Sequence, residues 1–116
     1  MIKVIYNPLD ILFRAIEKVN DISANMVFTT KEQCDENWGY TQKNEDGTYT
    51  IGIAVELTLQ DALEIIAHEA AHIMAKSHEK PEEDQHDEEW EFWFDMIQKQ
   101  YENESIATLE REEKEK

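Results

Sequence analysis

Two histidines four residues apart, with a glutamate directly after the first, make the most chemically pointed pattern in this chain: His68-Glu69-Ala70-Ala71-His72. On an α-helix, residues four apart lie one above the other on the same face. Two imidazoles so placed can grip one metal ion, and zinc favours such nitrogen donors. Glu69 sits beside the first imidazole, offset around the helix, where its carboxylate can take a proton from an attacking water. The chemistry that uses this set is metal-assisted hydrolysis with Glu69 as general base.

The pattern has meaning only on a helix, and the flanking residues supply one. Thr58 is a good N-cap, with Asp61 three residues on as a capping-box variant. Leu59, Leu63, Ile66, Ala67, Ala70, Ile73 and Met74 recur at helical spacing. No Gly or Pro interrupts the chain from Thr58 to Lys80, so the helix is expected to run on past Ala75. The bland alternative is a buried helix with two incidental histidines. Two His and one Glu at fixed spacing arise by chance in roughly a few per thousand chains of this length, so the metal reading is the stronger. The arrangement is the helix motif of zinc peptidases.

Catalytic zinc sites take three protein ligands and leave one position for water. His86, fourteen residues past His72, can return to the metal if a following helix packs against the first. His78, six residues past His72, would lie about 240° around a continuing helix and point away. It would need a sharp chain reversal, and Ala75 stands where a glycine would make one. The carboxylates of Glu82, Glu83 and Glu89 are further alternatives.

Around these residues the sequence predicts an α+β domain. Ile2 to Tyr6 alternates weakly, as a short strand would. Asn7-Pro8 opens a first helix, Asn as cap and Pro at its first position, with Leu9, Leu12, Phe13, Ile16 and Val19 as its apolar stripe. Met26 to Thr30 is β-prone, and Lys31 to Tyr40 reads as loop. Asn44-Glu45-Asp46-Gly47 is a hairpin turn signal. In Thr48 to Val55, residues Tyr49, Ile51, Ile53 and Val55 share one face of a strand. After Lys80-Pro81, residues Trp90, Trp93, Phe94, Ile97 and Tyr101 form an aromatic stripe at helical spacing, and Trp90 would wall the site. The reading is thus an N-terminal helix, a small antiparallel or mixed sheet, the His-bearing helix and a C-terminal aromatic-striped helix. Residues 1–104 form one domain. Residues 105–116 form a charged, frayed helical tail supported by the pairs Glu110–Lys114 and Glu112–Lys116.

With 116 residues the chain has room for one core and not two. Twenty-seven acidic residues against eleven basic give a formal charge of −16. Such a surface repels nucleic acid, so no direct nucleic-acid binding is expected. Glu79 to Glu91 alone carries eight carboxylates and one Lys. This stretch reads as a solvated acidic face, and more sharply as a dock for a basic partner. No apolar run approaches the roughly 20 residues of a membrane span, and the N-terminus is too short for a signal peptide. A single cysteine, Cys34, excludes an intrachain disulfide and suits an intracellular, cytoplasmic protein.

The run His68-Glu69-x-x-His72, a short acidic loop and then His86-Asp87-Glu88-Glu89-Trp90 resembles the SprT-like metallopeptidases. In their pattern an HExxH helix is followed by a third histidine in a His-Gly-x-x-aromatic motif opening the next helix. The resemblance covers roughly Thr48 to Tyr101. It implies a minimal zincin-like domain of the kind common in bacteriophages and their hosts. It further implies zinc on His68, His72 and His86, Glu69 as catalytic base, and a protein or peptide substrate. The strand before the helix would be the sheet edge that pairs with substrate, here Thr48–Val55. Tyr40 and Tyr101 are candidate oxyanion donors, and Asp87 or Glu89 a partner for a ligand imidazole. Three features depart from the pattern: Asp87 replaces the usual Gly, the four-Cys zinc ribbon of longer relatives is missing, and so is the basic surface of DNA-associated ones. The competing reading is a non-enzymatic acidic effector, or a mimic of nucleic-acid charge, with a structural or vestigial zinc site.

Overall fold

The computed structural model describes residues 1–34 and 37–114, without the side chains of residues 78, 82 and 112–114. Its elements run α1 (Pro8–Val19), β1 (Ala24–Thr29), a 3-10 turn (Glu32–Cys34), β2 (Gly39–Lys43), β3 (Tyr49–Ala54) and α2 (Leu59–Met74). Two more 3-10 turns (Ser77–Glu79 and Glu82–Asp84) lead to α3 (Glu88–Lys114). The architecture is the expected α+β domain, with a three-stranded mixed sheet. Both expected caps form: Asn7 Oδ1 accepts from Leu9 N at 3.1 Å and Thr58 Oγ1 accepts from Asp61 N at 3.2 Å. Among the described residues no helix is long and apolar enough to cross a membrane.

The sheet order is β1-β3-β2, so β3 is the central strand. It pairs in parallel with β1, Ala24 opposite Tyr49 through Thr29 opposite Ala54. It pairs antiparallel with β2, Gly39 opposite Ile53 through Lys43 opposite Tyr49. Two sequence expectations change here. Ile2 to Tyr6 forms no strand. The loop expected through Tyr40 ends early, because Gly39 to Lys43 supplies the second arm of the Asn44–Gly47 hairpin. In that turn Gly47 takes φ 89°, open to glycine and costly for other residues.

α2 lies across the sheet face that carries Ile51 and Ile53 and is backed by α1 and α3. Its inner face is Ile66, Ala67, Ala70, Ala71, Ile73 and Met74, packed with Leu12, Ile16 and Ile97. The alanines keep this face narrow, so the sheet and α3 approach the helix backbone closely. Gly39 does the same from the strand side. A Cβ there would fall 2.7 Å from Ile65 Cγ2 and 3.8 Å from Glu69 Cγ. Edge strand and His-bearing helix are therefore pressed together at the height of Glu69.

α2 ends at Met74, earlier than the periodicity predicts. Lys76 adopts the left-handed conformation, φ 55° and ψ 43°, and turns the chain without a glycine. α3, in contrast, continues unbroken to Lys114, so the expected boundary at residue 104 falls inside one helix. Within the stretch expected to fray, Tyr6 Oη donates to Ser105 Oγ at 3.1 Å, and Thr108 is buried. Lys18 of α1 forms an ion pair with Glu104. Side chains of the pairs Glu110–Lys114 and Glu112–Lys116 fall partly outside the described residues.

Candidate metal centre

One turn of α2 separates His68 and His72, and their Nε2 atoms lie 3.1 Å apart. His86, just before α3, brings its Nε2 to 3.2 Å from His68 Nε2, with its ring centroid 4.7 Å from that of His72. The ligand-capable nitrogens all lie within 4.8 Å of one another. Three nitrogens with converging lone pairs fit a divalent cation that takes imidazole donors. The electrostatics agree with the geometry. Burial, then the neighbouring imidazoles, push His72 down to about 4, and burial followed by His86 lowers His68. Both rings are thereby held neutral, the form that can donate a lone pair to a metal. His68 and His72 are partly buried and His86 is exposed, so the cluster opens to solvent on one side.

A model of the SprT-like family matches residues 14–110. The chain belongs to the SprT-like family. No curated protein and no solved structure gives a significant match. SprT-like domains are of metallopeptidase type and metal-dependent, and the three histidines of this one could hold a metal ion.

In this SprT-like chain Asp87 stands where the family pattern has glycine, and it serves as the N-cap of α3. Its Oδ1 accepts from Trp90 N at 3.1 Å, while Lys80 Nζ donates to its Oδ2 at 2.8 Å and to Glu89 Oε2 at 2.8 Å. A carboxylate at a helix N-terminus satisfies free N–H groups and complements the helix dipole. His86 is thus presented by a capped, lysine-clamped helix start. Trp90 packs against all three imidazoles, with centroids 5.0, 5.7 and 5.0 Å from His68, His72 and His86. Its Nε1 donates to His68 O at 3.2 Å. Phe94 stacks behind it.

Of the alternatives read from the sequence, Glu83 and Glu89 do not join the cluster. Glu89 is engaged by Lys80, and Glu83 is exposed. The side chains of His78 and Glu82 lie outside those described. Asp87 and Glu89 do not act as the imidazole partner, because both face Lys80. Ser77 takes that place, with its Oγ 2.9 Å from His72 Nδ1.

Glu69 lies between α2 and β2. Thr41 Oγ1 donates to Glu69 Oε2 at 2.5 Å. Burial raises the Glu69 carboxyl above its ordinary range, and the Thr41 hydroxyl and the charge of His86 pull it part of the way back. Beside Glu69 and His72 opens a cavity of ≈ 340 Å³, reaching Thr41 and Lys43 on one side and Tyr49, Ile73 and Ser77 on the other. Of the two tyrosines proposed from sequence, Tyr40 lines this cavity and Tyr101 does not. The Tyr40 ring covers Gly52, where a Cβ would meet it at 2.0 Å, on the sheet face opposite Ile51 and Ile53. Tyr101 lines a different cleft, with Leu12 and Gln60.

Proposed function

We propose that this protein is a zinc-dependent peptidase. The observation that carries the reading is the convergence of His68, His72 and His86 next to a half-buried Glu69 at the mouth of a cavity. His68, His72 and His86 would hold the ion. Bound zinc supplies Lewis acidity, polarising the scissile carbonyl and making water a better nucleophile at neutral pH.

The remaining work falls to residues of the chain. Glu69 takes the proton of the attacking water on a carboxylate oxygen and delivers it to the nitrogen of the departing amine. Thr41, hydrogen-bonded to the other oxygen, keeps that carboxylate facing the cavity. Trp90 and Phe94 shield one side of the cluster from water.

The substrate-pairing strand changes from the one read in the sequence. β3 is occupied on both edges and cannot take an added strand. β2 has one edge free of any described strand. The bonds Ala54 N to Trp38 O and Asn44 N to Thr48 O mark the hydrogen-bonded rungs. Alternation along the antiparallel ladder then turns the main-chain groups of Gly39, Thr41 and Lys43 outward. A substrate added at these groups runs beside Glu69.

The reading is tested with a mixed peptide library, cleavage products identified by mass spectrometry. Zinc-dependent cleavage that is abolished in Glu69→Gln supports it, and undiminished cleavage in that variant overturns the assigned mechanism. The formal charge of −16 favours basic substrates. It also motivates the second reading, an acidic effector. That reading gains if Glu69→Gln keeps biological activity while neutralising Glu83 and Asp84 removes it.

A further inference from the structure

Ser77 Oγ lies 2.9 Å from His72 Nδ1 and donates to Gln85 O at 3.3 Å. A main-chain oxygen can only accept. The hydroxyl has one proton, and both contacts are satisfied together when that proton goes to Gln85 and Ser77 offers a lone pair to His72. In that arrangement Nδ1 is the protonated nitrogen of the ring. The lone pair is left on Nε2, the atom that faces His68 Nε2 at 3.1 Å. Ser77 is only 4% exposed, so water does not compete for either contact. Its position depends on the left-handed turn at Lys76. Its second partner, Gln85, is the residue directly before His86. One buried hydroxyl therefore joins the ring of one candidate ligand to the loop that carries another.

We propose that Ser77 is a positioning residue of the metal centre. It fixes the His72 tautomer and holds the His86 loop against the end of α2, and so sets metal affinity without touching the ion. This rests on the three-histidine zinc reading above and adds a determinant that the motif spacing does not contain. Partners of this kind typically change metal affinity by about 10–100-fold when removed.

The test has two arms. The first reads the His72 tautomer in metal-free wild type at neutral pH, by long-range proton–nitrogen NMR. A proton on Nδ1 is expected, and a proton on Nε2 overturns the proposal with no variant needed. The second measures zinc affinity by chelator competition for wild type, Ser77→Ala and Ser77→Thr. Ser77→Ala is expected to bind zinc about 10–100-fold more weakly and to show a mixture of His72 tautomers. Ser77→Thr, which keeps the hydroxyl, is expected to recover most of the affinity. Unchanged affinity and tautomer in Ser77→Ala overturn the Ser77 proposal alone. A wild type that binds no zinc overturns the metal reading, and the effect on affinity with it. Should Ser77→Ala fail to fold, the wild-type tautomer and Ser77→Thr still decide.

Discussion

Thr41 Oγ1 and Glu69 Oε2 are 2.5 Å apart, a hydrogen bond that joins the free edge strand to the helix bearing the candidate metal ligands. The side chain of Thr41 orients the proposed base while its main chain faces the place where substrate would add. Thr41→Val removes the hydroxyl and keeps the shape. Hydrogen bonds to charged groups contribute about 1.5–3 kcal/mol, so a loss of tenfold or more in kcat is expected. KM should move little, since the outward main-chain groups remain. Thr41→Ser should restore kcat. A Thr41→Val enzyme with unchanged kcat would show that Glu69 is positioned by something else.

Glu69→Gln separates catalysis from metal binding. General-base catalysis contributes about 10²–10⁴-fold, so cleavage should fall by at least the lower figure. Zinc content, read by elemental analysis, should stay near that of wild type, because Glu69 is not among the clustered nitrogens. His86→Ala should do the reverse at the first step and bind zinc far more weakly, leaving His68 and His72 as a two-point grip. Full zinc retention in His86→Ala would move the third ligand elsewhere.

The metal-free protein should carry a pH signature of the cluster. His72 is lowered to about 4 from 6.5, so between those values the unfolded chain holds a proton that the folded chain does not. Stability of the metal-free form therefore rises with pH through that window and is lost as pH falls through it. Glu69 acts in the opposite sense. Its folded value lies above 4.5, so its contribution is present at low pH and lost as pH rises. Site-resolved NMR titration separates the two. A His72 that titrates at its ordinary value in metal-free protein would contradict the buried, mutually repelling cluster.

Much of this architecture was legible from residue type and spacing. Asn7 and Thr58 announce their helices, Asp46-Gly47 its hairpin, and the aromatic stripe from Trp90 to Tyr101 its packing face. His86 was found because two packed helices bring residues fourteen apart together. Strand order was not legible, because Tyr49 to Ala54 is apolar enough for a centre or an edge and only long-range pairing decides. A hairpin turn does require two arms, and Tyr40-Thr41-Gln42-Lys43 before Asn44 was the available signal for β2. Nothing comparable pointed to Ser77, since the turn that delivers it is made by a lysine in a conformation that residue type disfavours.

That lysine is itself a test. A left-handed residue other than glycine costs roughly 1–2 kcal/mol, offset in a Gly variant by about 0.4–1 kcal/mol of extra unfolded-state freedom. Lys76→Gly should therefore be neutral to stabilising by about 1 kcal/mol. Lys76→Val, β-branched and poorly suited to φ 55°, should destabilise by a similar amount or more. The order of melting temperatures Gly, Lys, Val checks the turn, and Val proving as stable as Gly would refute it.

The edge-strand assignment can be tested by removing single main-chain donors. The N–H of Gln42 lies on a rung shared with Thr50, whereas that of Lys43 faces outward. Proline abolishes a donor and is tolerated on an edge strand where the donor faces solvent. Lys43→Pro should leave the melting temperature nearly unchanged yet raise KM, because one substrate contact is lost. Gln42→Pro should break the ladder and lower the melting temperature markedly. The two variants sit one residue apart and differ chiefly in which side of β2 loses its hydrogen bond. If Lys43→Pro cleaves with an unaltered KM, the substrate does not add along this edge, and the outer side of β1 becomes the strand to examine.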